Sequence, residues 1–147
     1  MEKTRPSVIV TGSSGLLGSE VCTALADNGY EVYGLDRVGL PEPPKSDPYV
    51  HDIECDFTDY SNVHFAIDDI RKRADAKVAS IVHLAAYYDF SGEESPLYKK
   101  VTIEGTDRLL NALDDFEFDQ FIFTSTMLIH EPCEHIREDD PLLAKWP

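Results

Sequence analysis

The chain has 147 residues, of which 42% are hydrophobic, enough for one domain with a packed core. Its 28 acidic against 13 basic residues give a net charge of -15, which argues against nucleic acid or an anionic membrane as partner, since both are polyanions. The start from Met1 to Ser7 is polar and no apolar run is long enough to cross a bilayer, so neither a secretory leader nor a membrane anchor is expected.

Val8, Ile9 and Val10 are β-branched and apolar, as a parallel strand covered on both faces requires, and predict a strand near 7–11. The strand runs directly into Gly12, Gly15 and Gly18 at three-residue spacing. That spacing reads as a phosphate cradle. Gly12 makes the turn, Gly12 and Gly15 let a pyrophosphate approach the backbone, and Gly18 lets the following helix pack tightly on the sheet. The cradle is completed by the backbone of Ser13, Ser14, Leu16 and Leu17, where N–H groups and the helix dipole favour an anion. A helix is predicted near 15–28, with Leu17, Val21 and Leu25 on one face and Asn28-Gly29 closing it.

A second strand, 31–36, closes on Asp36, about 20 residues beyond the glycines, which completes a dinucleotide-binding fingerprint. Asp36 is placed to accept hydrogen bonds from adenosine ribose hydroxyls. A 2'-phosphate there would meet a carboxylate, so NAD is favoured over NADP, although the neighbouring Arg37 could pair with such a phosphate.

A proline-rich loop through Pro41, Pro43, Pro44 and Pro48 precedes a short strand near 49–54 that leads to Asp56. Helix signals resume at Asp59 and Ser61, with Val63, Ile67 and Ile70 on one face. Val78, Ile81, Val82 and Leu84 predict a fourth strand, in which His83 reads as a buried strand residue rather than a catalytic base. The small Ala85 and Ala86 follow at the mouth of the expected crevice. After Ser91-Gly92 and Pro96 the longest helix is expected, lined on one side by Tyr98, Val101, Gly105, Leu109 and Leu113. Gly105 in its interior costs about 1 kcal/mol relative to alanine and marks close backbone approach to a neighbour.

A fifth strand, 121–124, delivers Ser125 and Thr126 at its C-terminal end. This alternation predicts an α/β fold: a Rossmann-type doubly wound parallel sheet in the order 3-2-1-4-5, with helices on both faces. The ligand crevice is expected where the first and fourth strands diverge. No repeat, low-complexity tract or linker divides residues 1–147, which read as one dinucleotide-binding domain. The three cysteines, Cys22, Cys55 and Cys133, are odd in number and lack CxxC spacing, as expected of reduced thiols in a cytoplasmic protein. His130-Glu131-Pro132-Cys133-Glu134-His135 is rich in metal-ligand residue types. An HExxH helix would need histidine at 134, and Pro132 disfavours that helix, so a polar loop without metal is expected.

The glycine spacing resembles the TGxxGxxG of short-chain dehydrogenases/reductases. Asp56-Phe57, His83-Leu84-Ala85-Ala86, Glu104-Gly105-Thr106 and Phe121-Ile122-Phe123-Thr124-Ser125-Thr126 resemble the extended subfamily of NAD-dependent epimerases and dehydratases. The resemblance implies that Asp56 accepts a hydrogen bond from the adenine amino group and that Phe57 contacts the ring edge. It also implies that the hydroxyl of Thr126, or of Ser125 if the strand end shifts by one, binds the substrate's reacting oxygen. Thr102 departs from the family's frequent asparagine and cannot offer the same amide donor and acceptor.

The resemblance implies an NAD-dependent oxidoreductase, isomerase or dehydratase acting by hydride transfer on a nucleotide sugar or another hydroxyl or carbonyl compound, and is compatible with a homodimer. The family's proton-transferring tyrosine has a lysine four residues later, and none of the seven tyrosines here does. Pro141 stands four before Lys145. An amino-terminal portion of a longer enzyme, lacking the remaining strands and substrate lobe and inactive alone, is therefore expected. The alternative is a non-catalytic dinucleotide-binding or regulatory module complete at this length.

Overall fold

Short β-branched and apolar runs separated by amphipathic helices build one five-stranded sheet in the computed structural model. It describes residues 5–37, 47–74, 77–89, 91 and 93–143. Pro41, Pro43, Pro44, Gly92, Lys145, Trp146 and Pro147 lie outside the described residues. The strands are β1 (Ser7–Thr11), β2 (Glu31–Asp36), β3 (Val50–Glu54), β4 (Lys77–His83) and β5 (Glu117–Phe123), and the helices α1 (Leu16–Asp27), α2 (Tyr60–Arg73) and α3 (Glu104–Ala112). Every pairing is parallel and the order is β3-β2-β1-β4-β5, as the alternation of elements predicts.

Alternate residues of the central strands enter two separate cores. Val8, Val10, Val32 and Val82 pack with Cys22 and Ala26 of α1. Ile9, Leu35 and Ile81 pack on the opposite face with Val63, Ile67 and Ile70 of α2 and Leu109 of α3. Helices therefore cover both faces, and the C-terminal ends of β1 and β4 emerge between them.

Helix α1 corrects one expectation. Leu17 is 63% exposed, and the buried stripe is Gly18, Cys22 and Ala26, one position further on, with Val21 and Leu25 at its flanks. The cause is Gly18. An added Cβ there would overlap the Gly12 carbonyl oxygen, so the helix sits so near the sheet that small residues occupy the contact and large ones move to the sides. In α2 the Asp59 carboxylate caps the first turn by accepting the Asn62 N–H at 2.8 Å, and Arg71, Lys72 and Arg73 suit the negative end of the dipole.

The helix expected through 98–113 divides into a π-helical turn, Tyr98–Ile103, and α3, which with 9 residues is shorter than the 14-residue α2. The predicted close approach at Gly105 is to Phe57: an added Cβ would lie 3.0 Å from the Phe57 Cβ and 3.2 Å from its carbonyl oxygen. Strand β5 begins four residues earlier than its apolar run, because Glu117, Phe118 and Gln120 pair in register with Lys77, Val78 and Ser80. It is the outer strand of the sheet, which explains why a strand can open on so polar a sequence. Phe118, Ile122 and Phe123 are exposed along it.

The three cysteines are free. Burial pushes the Cys22 and Cys55 thiols up to about 12, with the Asp52 and the Asp56 and Asp36 carboxylates adding in the same direction, whereas Cys133 is exposed. Iodoacetamide at pH 7.5 is accordingly expected to label Cys133 alone in the native chain and all three cysteines in denaturant, as read by intact-mass spectrometry.

Candidate functional site

Where β1 ends, the chain turns on Gly12 at φ +70°, and a Cβ there would be 2.9 Å from the Ala85 amide nitrogen. The Gly12 amide donates to the Leu35 carbonyl at 2.8 Å and the Gly15 amide to the Gly12 carbonyl at 3.1 Å, which closes the turn against β2. Gly15 is the N-cap of α1 and makes no side-chain capping bond. The positive end of α1 is thus presented beside two residues without side chains.

Asp36 stands at the end of β2, where its Oδ2 accepts the Ser14 N–H at 3.0 Å and its Oδ1 the Arg37 N–H at 2.8 Å. Two backbone amides thereby fix the carboxylate at the rim of the glycine turn. Asp56, beyond β3, accepts both the N–H and the hydroxyl of Thr58 at 2.8 Å on Oδ1. The Thr58 amide, with help from its hydroxyl and from the Arg37 and Arg108 charges, holds this carboxyl below the usual carboxylate range. Asp56 therefore caps its own turn while facing the same space as Asp36.

These loops enclose a crevice of about 210 Å³. The β1 loop contributes Gly12 and Gly15, the β2 end Asp36 and Arg37, the β3 end Asp56 and Phe57, and the β4 end Leu84, Ala85 and Ala86. Tyr87 and Val101 complete the wall and were absent from the sequence-based site. An aromatic residue just past the C-terminal end of a central strand was the available signal for Tyr87.

Other candidates lie outside this lining. Ser13 is buried against β2, where a Cβ on Gly34 would come within 2.9 Å of its side chain. Leu16 and Leu17 are exposed on the first turn of α1, and Gly18 is buried beneath it. Thr102 sits in the π-helical turn behind the wall, where its hydroxyl accepts the Tyr87 N–H at 2.9 Å. Thr126 and Ser125 are exposed beyond β5, and the Thr126 hydroxyl accepts the Leu128 N–H at 3.2 Å, capping a short 3-10 turn, Met127–Ile129. The end of β5 joins them to the site, where the Thr124 amide donates to the His83 carbonyl.

A broader hollow of about 660 Å³ opens at the other end of the sheet, where β4 and β5 begin, between Lys77, Leu113, Phe116 and Phe118. It is far from the glycine turn and rimmed by Asp114, Glu117 and Asp119, which makes it a poor receptor for a phosphorylated ligand. The 129–143 segment is a loop closed on itself, through an antiparallel bridge between His130 and Leu142 and a bond from the Leu143 amide to the Ile129 carbonyl. Cys133 there donates to the His135 carbonyl, and no group of three or more His, Cys, Asp or Glu among the described residues is arranged to hold a metal. No helix among the described residues is long and apolar enough to cross a membrane.

Residues 8–147 match the model of the NAD dependent epimerase/dehydratase family. A 3-beta-hydroxysteroid dehydrogenase of Mycolicibacterium neoaurum is 30% identical over 125 residues, covering 81% of this chain and 31% of that protein. Short-chain dehydrogenase/reductase family 42E member 1 of Homo sapiens is 30% identical over 147 residues, covering 97% of this chain and 35% of its own length. The crystal structure of Thermus thermophilus UDP-glucose 4-epimerase in complex with NAD superposes with a TM-score of 0.78 at 25% identity, over 95% of this chain and 45% of that one. The chain thus spans about a third of the length of these curated relatives. With the glycine turn, the sheet order and a match over nearly all of its residues in agreement, the chain belongs to the NAD-dependent epimerase/dehydratase family.

Proposed function

We propose that the chain binds NAD in the crevice at the C-terminal ends of β1, β2, β3 and β4. It thereby serves as the cofactor-binding part of an oxidoreductase, epimerase or dehydratase acting by hydride transfer on a nucleotide sugar or another hydroxyl or carbonyl compound. One observation carries the reading: the uncapped start of α1, two glycine backbones and a carboxylate held by backbone amides converge on one crevice. Each element suits one part of a dinucleotide. Backbone N–H groups at α1 and its dipole receive the pyrophosphate without any basic patch, which matters in a chain of charge -15.

Asp36 accepts the ribose hydroxyls, and Asp56 and Phe57 meet the adenine. Leu84, Ala85 and Ala86 leave room for the middle of the molecule. When bound, NAD supplies the hydride acceptor or donor. The chain's own part in chemistry is assigned to Thr126, with Ser125 as its neighbour, whose hydroxyl holds the reacting oxygen of the substrate. The Tyr-x-x-x-Lys pair that transfers the proton in the family is not among these 147 residues.

Thermal unfolding with NAD, NADP and no ligand tests the proposal. NAD at about 100 times its dissociation constant is expected to add roughly 2.7 kcal/mol of stability. The NADP shift should be smaller, and Asp36→Ala should weaken NAD about tenfold, the worth of a hydrogen bond to a charged group. A cooperatively folded chain that NAD does not shift would overturn the reading.

A further inference from the structure

Behind the crevice wall runs a line of hydrogen bonds that touches no ligand-facing side chain. The Thr11 hydroxyl oxygen lies 3.1 Å from the amide nitrogens of both Leu84 and Ala85 and 2.7 Å from His83 Nδ1. The Leu84 amide is shared with the Thr11 carbonyl oxygen at 3.2 Å, so the direction of the line is set at its far end: the Thr106 hydroxyl gives its proton to the Thr102 carbonyl and can only accept from His83, which leaves Nδ1 to accept the Thr11 proton. His83 must then carry its proton on Nε2, which faces the Thr106 hydroxyl at 2.8 Å, and Thr106 passes its own proton to the Thr102 carbonyl at 2.6 Å. With the Thr106 proton on the Thr102 carbonyl, both hydroxyls and both ring nitrogens are satisfied in this direction.

We propose that Thr106 and His83 are positioning residues for the crevice: Thr106 fixes the tautomer of His83, and His83 orients the Thr11 hydroxyl that holds the Leu84 and Ala85 amides in the crevice wall. The two amides belong to residues that line the crevice, whereas His83 is 2% exposed and lies outside it. The ring is packed by Phe57, Phe121 and Phe123, with centroids 6.0 to 6.2 Å away, and none of these neighbours, nor Thr11 or Thr106, carries charge. Among the described residues, the hydrogen bonds of the ring are those to Thr11 and Thr106. If Thr106 loses its hydroxyl, Nε2–H has no acceptor. The proton is then free to move to Nδ1, where it would point at the Thr11 oxygen and displace the hydroxyl proton toward the amides. The same relay ends in the π-helical turn, where Thr102 accepts the Tyr87 N–H, so both ends of the wall segment 84–87 are tied to it.

The test begins in the ligand-free chain, which keeps it separate from the NAD reading. Side-chain ¹⁵N shifts should show His83 neutral and protonated on Nε2 at pH 7, and Thr106→Val should give a mixed tautomer. Exchange of the Ala85 amide should be about tenfold faster in Thr106→Val and return to within twofold of wild type in Thr106→Ser. Where NAD binds, its dissociation constant should follow the same pattern, about tenfold weaker in the valine variant and restored by serine. A wild-type ring protonated on Nδ1 or averaging between tautomers would overturn the proposal even if Thr106→Val does not fold. Unchanged Ala85 exchange in a folded Thr106→Val chain would overturn it too. Loss of NAD binding by the wild type with the tautomer as stated would defeat the cofactor reading and leave the relay standing.

Discussion

Gly18→Ala is expected to destabilise the chain by about 3 kcal/mol or more, in the upper range for overpacking. In an ordinary helix the same change would stabilise by about 1 kcal/mol, so the sign alone is diagnostic. The added Cβ would overlap the Gly12 carbonyl oxygen and stand 2.8 Å from the Gly12 carbonyl carbon and the Ser13 Cα. All three are backbone atoms of the glycine turn, and no flexible side chain is available to yield. Relief requires α1 to lift away from the sheet, which would open the contact of Cys22 and Ala26 with Val8, Val10 and Val32. Urea unfolding monitored by circular dichroism measures the effect. A Gly18→Ala chain as stable as wild type would show that the turn can relax. Gly29→Ala is the control: its φ is +88° but nothing lies within 4 Å of the added Cβ, so only the backbone strain of about 1 kcal/mol should appear.

Between neutral pH and pH 4, acid should weaken the fold through His83. Burial pushes the His83 imidazole down from 6.5 to about 4. The folded chain thus binds the proton less readily than the unfolded chain. The stabilisation is full above pH 6.5, is lost as the pH falls toward 4, and amounts to about 3 kcal/mol across that window. Falling pH also relieves repulsion within a chain of charge -15, which acts in the opposite sense. The measurement is therefore the difference in unfolding free energy between wild type and His83→Gln, followed from pH 7 to pH 4.5. The gap between the two curves should shrink steadily with acid. A constant gap would mean that His83 titrates alike in both states.

Which features could be read from residue order depends on how local their causes are. The strand Val8–Val10, its three glycines and Asp36 lie within about 30 residues, and each obeys a rule of backbone sterics or burial, so the turn, the sheet order and an acid at the rim of the crevice were legible. The stripe of α1 was not, because it depends on a contact between Gly18 and Gly12 that sets helix-to-sheet distance, and periodicity alone favours the larger Leu17. The length of β5 was hidden for the opposite reason: Glu117 and Gln120 are polar, and only pairing with β4 makes them a strand. Tyr87 and Val101 belong to a wall assembled from two separate segments, joined where the Thr102 hydroxyl accepts the Tyr87 N–H. The Thr11 hydroxyl was overlooked because its partners lie more than 70 residues away.

The closeness of Gly105 to Phe57 has a mechanical side. Arg108 donates to the Phe57 carbonyl at 3.0 Å and to the Lys100 carbonyl at 3.1 Å, so the Phe57 loop, the π-helical turn and α3 are fastened together at three points. Phe57 and Val101 stand in one wall of the crevice and are carried by this one block. A ligand that displaces the Phe57 backbone is therefore expected to load α3 and the turn that carries Val101 together, as a jaw turns on its hinge.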